Sequence, residues 1–346
     1  MLRRSIPLFV ALLLLVHASP ARADETDDYV AAQLRNFKLP GLALVIIKNG
    51  TIVKSAGYGF ADVKKRLPMT PETVLKIGSV SKQFIATGIM LLSEAGRLSV
   101  DDPVSKYLPS APPSWSAIRV RHLLSHTSGI VRESPTFDEN AVKSDAEVLA
   151  GVYPAPLQFT PGQRWAYSNA GYYALAEIIR TVSGMPWTDF LQQRVFTPAG
   201  MAMTAPTNVR PTLPNRARGY TGNDNQQPAP EWVALRPSGA FLSTVLDLAR
   251  WEALLYTDTI LSANSRQQMW ARIRLNDGTT HPYGFGWHVD ERGDRLVVWH
   301  GGGLPGFASQ FLRFVDDGVT VIALANGDDS DIASIANRVA LFYLPK

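Results

Sequence analysis

The segment KIGSVSK, residues 76–82, places Ser79 three residues before Lys82. Apolar residues recur after it at three- and four-residue steps and Gly96 follows them, which predicts a helix over 79–95. Ser79 and Lys82 would then share one face of a helix N-terminus. A serine becomes nucleophilic when a neighbouring base takes its proton, and a lysine with a lowered pKa can be that base. Taken alone, the pattern also fits a capping serine followed by a surface lysine.

A second candidate stretch, PGQRWAYSN, ends just before another helical pattern. Tyr167 and Asn169 are one residue apart in this loop, so both side chains can point into one cavity. A phenol near a lysine ammonium ionises more easily and can act as a base, and an amide can hold a substrate carbonyl. The alternative is an asparagine N-cap beside a packed tyrosine.

A third candidate stretch, VWHGGGLPGF at 298–307, ends a strand pattern with His300 and a run of glycines. Glycines let a substrate lie close to the backbone, whose N–H groups can stabilise an oxyanion. A phosphate-binding loop is disfavoured, because the glycines lead into another strand and no Lys-Ser/Thr follows. A structural glycine turn is the other alternative.

In this order, the three motifs resemble those of the penicillin-recognising serine hydrolases. That family includes class C β-lactamases, D-alanyl-D-alanine carboxypeptidases, penicillin-binding proteins, and related esterases and aminopeptidases. Its motifs are Ser-x-x-Lys, Tyr-x-Asn and Lys/His-x-Gly, which are here Ser79-x-x-Lys82, Tyr167-x-Asn169 and His300-x-Gly302. Further stretches extend the resemblance over nearly the whole chain after residue 23: HLLSHTSGI (122–130), residues 161–179, SGAFLSTVLDLARW (238–251) and YGFGWHV (283–289).

The resemblance implies catalytic roles for Ser79, Lys82 and Tyr167, and substrate-binding or oxyanion roles for Asn169, His300, Gly302 and Gly303. Ser79 would be acylated, while Lys82 and Tyr167 share its proton. The backbone N–H groups of Ser79 and Gly303 would form the oxyanion hole. We expect a tyrosine-type route, because no glutamate has an asparagine three or four residues later, as a class A deacylating site would.

One departure concerns the substrate. Many members have a threonine between the Lys/His and Gly of the third motif, and its hydroxyl helps to hold a substrate carboxylate; Gly301 stands there in this chain. We therefore expect an acyl-serine hydrolase of an amide, β-lactam or ester bond, possible substrates including a peptidoglycan stem peptide. A carboxylesterase of the same fold is an alternative, and so is a penicillin-binding or sensor protein with little turnover.

Other chemistries find less support. His122 and His126 have the i, i+4 spacing of zinc ligands, but no Glu follows His122 and no third ligand is evident. An α/β-hydrolase would need Gly-x-Ser-x-Gly, which is absent. The chain has no cysteine, which excludes disulfides and thiol nucleophiles. We expect no cofactor and no metal.

Residues 1–23 are typical of a secretory signal, with Arg3 and Arg4, an apolar run, and an A-x-A motif ending at Ala23. Its removal would take three arginines and lower the net charge from +4 to +1, and no Lys/Arg block suggests nucleic acid. We expect an exported periplasmic or secreted protein without a transmembrane span after cleavage. The sequence does not indicate an oligomeric state.

The elements around these motifs predict an α/β (α+β) fold of the β-lactamase/transpeptidase type. The runs GLALVIIK and TIVKSAGYGFA, joined by Asn49-Gly50, predict a hairpin. YGFGWHV, RLVVWH, FASQFLRFV and VTVIALAN predict four strands near the C-terminus. Helical patterns lie at both ends and at 116–125, 142–151, 168–183, 187–195 and 243–256. We expect residues 24–85 and 240–346 to form one antiparallel sheet domain flanked by helices, and 86–239 a helical insert.

Overall fold

The computed structural model describes residues 24–207, 213–234, 236–239 and 241–345, so the predicted signal lies outside the described residues. Its main β element is a seven-stranded antiparallel sheet with the order β4-β5-β6-β7-β1-β2-β3. The strands are β1 Gly41–Lys48, β2 Thr51–Asp62, β3 Leu67–Pro68, β4 His288–Arg292, β5 Arg295–Leu304, β6 Phe307–Phe314 and β7 Val319–Ala325. The N- and C-terminal segments join where β1 pairs with β7, which confirms the predicted fold class.

The hairpin between β1 and β2 forms at the predicted dipeptide. Lys48 pairs with Thr51, and Asn49 and Gly50 between them have φ values of 51° and 74°. Two positive φ angles match the right-handed twist of the flanking strands, and asparagine and glycine tolerate them best.

Helices cover both faces of the sheet. The helices of the described residues are α1 Glu25–Asn36, α2 Lys82–Glu94, α3 Val120–Leu124, α4 Asp145–Val152, α5 Ala170–Ser183, α6 Trp187–Leu191, α7 Val245–Leu254, α8 Ala263–Met269 and α9 Ile332–Leu341. Successive residues of β1 point to opposite faces, so Leu44 joins a core with α1 and α9, while Val45 joins a larger core with α2 and α7. A central strand buried on both sides has no polar alternation, which explains the unbroken apolar run GLALVIIK.

Some predicted boundaries were wrong. The strand expected over 283–289 begins only at His288, because Gly284 lies against the carbonyl of Met269 and Gly286 has φ 76°. The helix expected over 116–125 shortens to α3, and the helix expected over 187–195 changes to π-helical geometry at Gln192–Phe196. The division into a sheet domain and an insert stays a prediction; α3 to α6 lie between the two halves of the sheet in sequence.

The sheet leaves part of β5 open where the candidate motifs meet. β4 pairs only with residues 295–299 of β5, so residues 300–304 keep one free edge. The segment before Ser79 is fixed by a short strand, Leu75–Lys76, which pairs with Phe241–Ser243. Within the described part of the chain, no helix is long and apolar enough to cross a bilayer.

Candidate active site

Ser79 lies in a tight turn against the free edge of β5. The 3-10 turn Gly78–Ser81 runs directly into α2, and Gly78 has φ 51°, which favours glycine. The Ser309 hydroxyl on β6 donates to the carbonyl of Ile77 at 2.7 Å and so ties the turn to the sheet. Ser79 lines a pocket of about 210 Å³, together with Tyr167, Asn169 and Gly303.

Lys82 is fully buried beneath the serine, and its amine faces three oxygen atoms. Nζ lies 2.8 Å from Oδ1 of Asn169, 2.7 Å from the carbonyl oxygen of Ser238 and 3.1 Å from Oγ of Ser79. Burial, followed by the positive charge of Arg236, holds the pKa of Lys82 well below its ordinary value. A neutral amine has two hydrogens and one lone pair. The amide and carbonyl oxygens can only accept, so they take the hydrogens and leave the lone pair for the Ser79 hydroxyl.

Tyr167 behaves differently from the expectation that nearby cations would favour its ionisation. Its phenol is near Ser79, and its ring centroid lies 4.6 Å from Nζ of Lys82 and 5.1 Å from Cζ of Arg132. Burial nevertheless raises the pKa of Tyr167, and it outweighs the lowering by Ser79 and the arginines. The phenol is therefore held protonated, and the amine is the better base of the pair.

Asn169 directly precedes α5 but does not cap it. The Ser168 hydroxyl accepts from the N–H of Gly171 at 3.0 Å instead, which frees the amide of Asn169 for the pocket. Nδ2 of Asn169 donates to the carboxylate of Glu133, so Oδ1 must face Lys82. The amide orientation is thus fixed by chemistry at both ends.

Glu133 and two arginines, Arg132 and Arg236, belong to this site although none of them is part of the three sequence motifs. Arg236 donates to both oxygens of Glu133, at 2.9 and 2.8 Å, and lies over the ring of Phe137 at 4.4 Å. The carbonyl of Arg132 accepts from the N–H groups of Asn169 and Ala170, so this residue is anchored to the loop that carries Tyr167 and Asn169. The sequence signals were indirect: Arg236 lies just before the SGAFLS stretch, and residues 132–133 just after HLLSHTSGI.

The glycines of β5 approach the serine from the sheet. A methyl group added at Gly302 would lie 2.1 Å from the carbonyl oxygen of Ile77 and 2.9 Å from the amide nitrogen of Ser79. The amide nitrogen of Gly303 lies 2.8 Å from where a methyl on Gly78 would be. The N–H groups of Ser79 and Gly303 therefore come to the same end of the pocket, which is where an oxyanion hole is needed.

The side chain of His300 lies behind the pocket rather than among its lining residues. It is 2% exposed, its Nδ1 is 2.7 Å from the carbonyl oxygen of Gly301, and its Nε2 is 3.0 Å from the hydroxyl of Tyr283. Burial holds the pKa of His300 well below its ordinary value, so the imidazole is neutral. A direct contact between its side chain and a substrate stays a prediction.

The two histidines with zinc-like spacing have separate structural tasks. Nδ1 of His122 accepts from the N–H of Arg119 at the start of α3, whereas His126 is fully buried near Tyr167. Among the described residues, no group of three or more His, Cys, Asp or Glu side chains could hold a metal ion.

Comparison with known proteins identifies the family. The family model described as Beta-lactamase matches residues 26–344, so the chain belongs to this family of β-lactamase-fold serine hydrolases. Penicillin-binding protein 4* of Bacillus subtilis is 31% identical over 311 residues, which cover 81% of this chain and 68% of that protein. The D-aminopeptidase of Brucella anthropi is 29% identical over 322 residues, which cover 89% of this chain but 60% of the relative.

Solved structures agree on the fold. The octameric penicillin-binding protein homologue from Pyrococcus abyssi superposes with a TM-score of 0.82 at 28% identity, covering 92% of this chain and 78% of that one. The D-amino acid amidase from Ochrobactrum anthropi gives a TM-score of 0.76 at 24% identity, a likeness that shows the fold alone. The predicted resemblance to penicillin-recognising serine hydrolases is therefore confirmed.

The close contact of Gly302 with the serine turn predicts a matched pair of variants. Gly302→Ala should destabilise the protein by about 1–3 kcal/mol, because its methyl group would overlap backbone atoms of the turn. Gly303→Ala should change stability by less than about 0.5 kcal/mol, since its methyl group meets no described atom within 4 Å. Urea unfolding measures both values, and equal stability losses would contradict this packing.

Proposed function

We propose that this protein is an exported serine hydrolase that cleaves an amide, β-lactam or ester bond through an acyl-enzyme on Ser79. The observation that carries the proposal is the amine of Lys82, which is buried, faces two acceptor-only oxygens and has its lone pair available to the serine hydroxyl. Burial of a lysine amine without an ion-pair partner costs free energy, and such groups cluster at functional sites, which favours a catalytic role for Lys82 over a purely structural one.

The proposed reaction begins when Lys82 takes the proton of the Ser79 hydroxyl and Oγ forms a bond with the substrate carbonyl carbon. The N–H groups of Ser79 and Gly303 stabilise the negative charge that develops on the carbonyl oxygen. The tetrahedral intermediate then expels the leaving group, which receives a proton from the Tyr167 phenol, while the phenol is reprotonated by Lys82. A water molecule then gives a proton to the same pair while its oxygen bonds to the acyl carbon. The bond from that carbon to Oγ of Ser79 breaks, Oγ takes the proton back from the pair, and the carboxylic acid leaves.

Arg132 supports a leaving group that carries a carboxylate. Its guanidinium carbon lies 5.1 Å from the ring centroid of Tyr167, the residue proposed to protonate the leaving group, and Arg132 lines the pocket. Arg236 is already paired with Glu133, whereas Arg132 forms no ion pair within the described residues. An arginine recognises a carboxylate in a bidentate way, so it can supply what Gly301 lacks. This favours a carboxypeptidase- or β-lactamase-like substrate, such as a peptide ending in a free carboxylate, over a neutral ester.

Two alternative functions can be distinguished from this proposal by experiment. A carboxylesterase would use the same acylation groups without a need for Arg132. A penicillin-binding or sensor protein would acylate Ser79 and then deacylate slowly. Export to the periplasm or medium is part of the proposal and is supported by the signal pattern of residues 1–23.

Ser79→Ala should abolish covalent labelling of the mature protein by a fluorophosphonate and by a fluorescent penicillin, because the attacking oxygen is removed. Intact-mass spectrometry measures the adduct. The neighbouring Ser81→Ala variant is the control and should still be labelled, because the Ser81 hydroxyl donates a hydrogen bond to the carbonyl oxygen of Gly78 at 2.6 Å. Labelling that survives in Ser79→Ala would place the nucleophile elsewhere.

Turnover of nitrocefin, p-nitrophenyl butyrate and a D-Ala-D-Ala peptide by the wild type then distinguishes the substrate classes. A protein that is labelled but turns over none of the three substrates would be one that deacylates slowly.

Arg132→Gln should remove a preference for carboxylate-bearing leaving groups. Two esters of one acyl group, with 3-hydroxybenzoate or 3-hydroxybenzamide as leaving group, differ only in that charge. The ratio of their kcat/KM values should favour the benzoate in the wild type and fall about 10-fold or more in the variant. Arg164→Gln is the matched control, because Arg164 also lies over an aromatic ring, Phe159, but outside the pocket lining. An unchanged ratio in Arg132→Gln would support the esterase alternative.

A further inference from the structure

Three fully buried side chains form a hydrogen-bonded chain behind the pocket. Nε2 of His126 is 3.1 Å from the hydroxyl of Tyr283, and that hydroxyl is 3.0 Å from Nε2 of His300. His126 and Tyr283 have no exposed surface and His300 is 2% exposed. The phenol thus bridges two imidazoles without help from solvent.

The two ends of the chain fix the direction of every hydrogen bond. The N–H of Ser168 can only donate, so Nδ1 of His126 accepts and its Nε2 carries the hydrogen. The carbonyl of Gly301 can only accept, so Nδ1 of His300 carries the hydrogen and its Nε2 accepts. The Tyr283 hydroxyl therefore accepts from His126 and donates to His300. The two histidines are neutral and have opposite tautomers.

Each end of the chain is attached to a different part of the catalytic site. Ser168 lies between Tyr167 and Asn169, and the His126 ring is 4.2 Å from the Tyr167 ring. The carbonyl of His126 also accepts from the N–H of Ala166 at 2.9 Å, so His126 holds the catalytic loop twice. At the other end, Gly301 directly precedes the glycines at the oxyanion end of β5.

His126 adopts a backbone conformation that is uncommon for residues other than glycine. Its φ is 60°, in the left-handed region, although it is buried and is not a glycine. Such a conformation persists only where the surroundings hold it in place. Here it directs the imidazole between Ser168 and Tyr283.

We propose that His126, Tyr283 and His300 are positioning residues, whose neutral, directional hydrogen-bond chain sets the distance between the Tyr167–Asn169 loop and the Gly302–Gly303 edge. The chain joins a loop of the helical region to a strand of the sheet, so the proton-transfer groups and the oxyanion donors keep one relative position. His300 acts in this chain through the carbonyl of Gly301 and the hydroxyl of Tyr283.

The charges around the chain are consistent with its neutrality. Burial, followed by the charge of Lys82, holds the pKa of His126 well below its ordinary value; for His300 burial comes first and His288 and Lys82 follow. A protonated imidazole would place a positive charge near the amine that must accept the serine proton, and this charge would oppose the proton transfer.

Tyr283→Phe keeps the buried ring and removes both hydrogen bonds, so it tests the chain directly. The measurement of kcat and KM rests on the proposed function, because it needs a substrate that the protein hydrolyses. We expect kcat to fall about 10-fold or more, with KM within about 3-fold of the wild type, because misplacement acts on the transition state more than on binding. Tyr220→Phe is the control: Tyr220 is also buried, accepts from the N–H of Val63 at 2.8 Å and lies outside the pocket lining. It should lose stability while kcat stays unchanged.

An unchanged kcat in Tyr283→Phe, with a stability loss like that of the control, would reduce the chain to a structural element and overturn the proposal. A second measurement needs neither folding of the variant nor turnover. Imidazole ¹⁵N NMR of the wild-type protein at pH 7 should show His126 protonated at Nε2 and His300 at Nδ1, both neutral. The same tautomer in both histidines, or a charged imidazole in either of them, would overturn the proposed chain. A wild-type protein that fails to acylate Ser79 would contradict only the proposed function.

Discussion

The desolvated amine of Lys82 is the interaction on which the rest of the site depends. Burying a lysine is costly, and the cost falls on the charged form, so burial turns an ordinary cation into a base. The amide of Asn169 and the carbonyl of Ser238 satisfy its hydrogens and orient the lone pair. Glu133 in turn fixes the amide of Asn169, and Arg236 holds Glu133. A continuous series of polar contacts thus connects Arg236 in the pocket wall to the hydroxyl of Ser79.

The fold supplies the second requirement, which is that groups distant in sequence meet at one atom. The serine turn is tied to the sheet through Ile77, while Tyr167 and Asn169 come from the loop before α5. The open edge of β5 then brings N–H groups that no neighbouring strand uses. Because β5 extends beyond β4 by these residues, the sheet leaves backbone N–H groups available for the proposed oxyanion site without interrupting its own hydrogen-bond ladder.

Motif residues and local turns could be predicted from the sequence, because their signals are local. The Asn49-Gly50 hairpin and the helix after Ser79 depend on residues close in sequence, and both form as expected. The protonation of Tyr167 could not be predicted, since its pKa depends on how deeply the finished fold buries the phenol. The same is true of Glu133, because no local pattern announces an ion pair with a partner about a hundred residues away.

The pH dependence of Ser79 acylation tests the central claim most directly, which is that the neutral amine of Lys82 accepts the proton of the Ser79 hydroxyl. The pKa of Lys82 lies well below the ordinary 10.5, so the rate of labelling by a non-ionising fluorophosphonate should rise with pH and level off well below pH 10.5. The plateau should be absent in Lys82→Met. A wild-type rate that continues to rise through pH 10.5 would show that the lysine stays charged, and it would contradict the account.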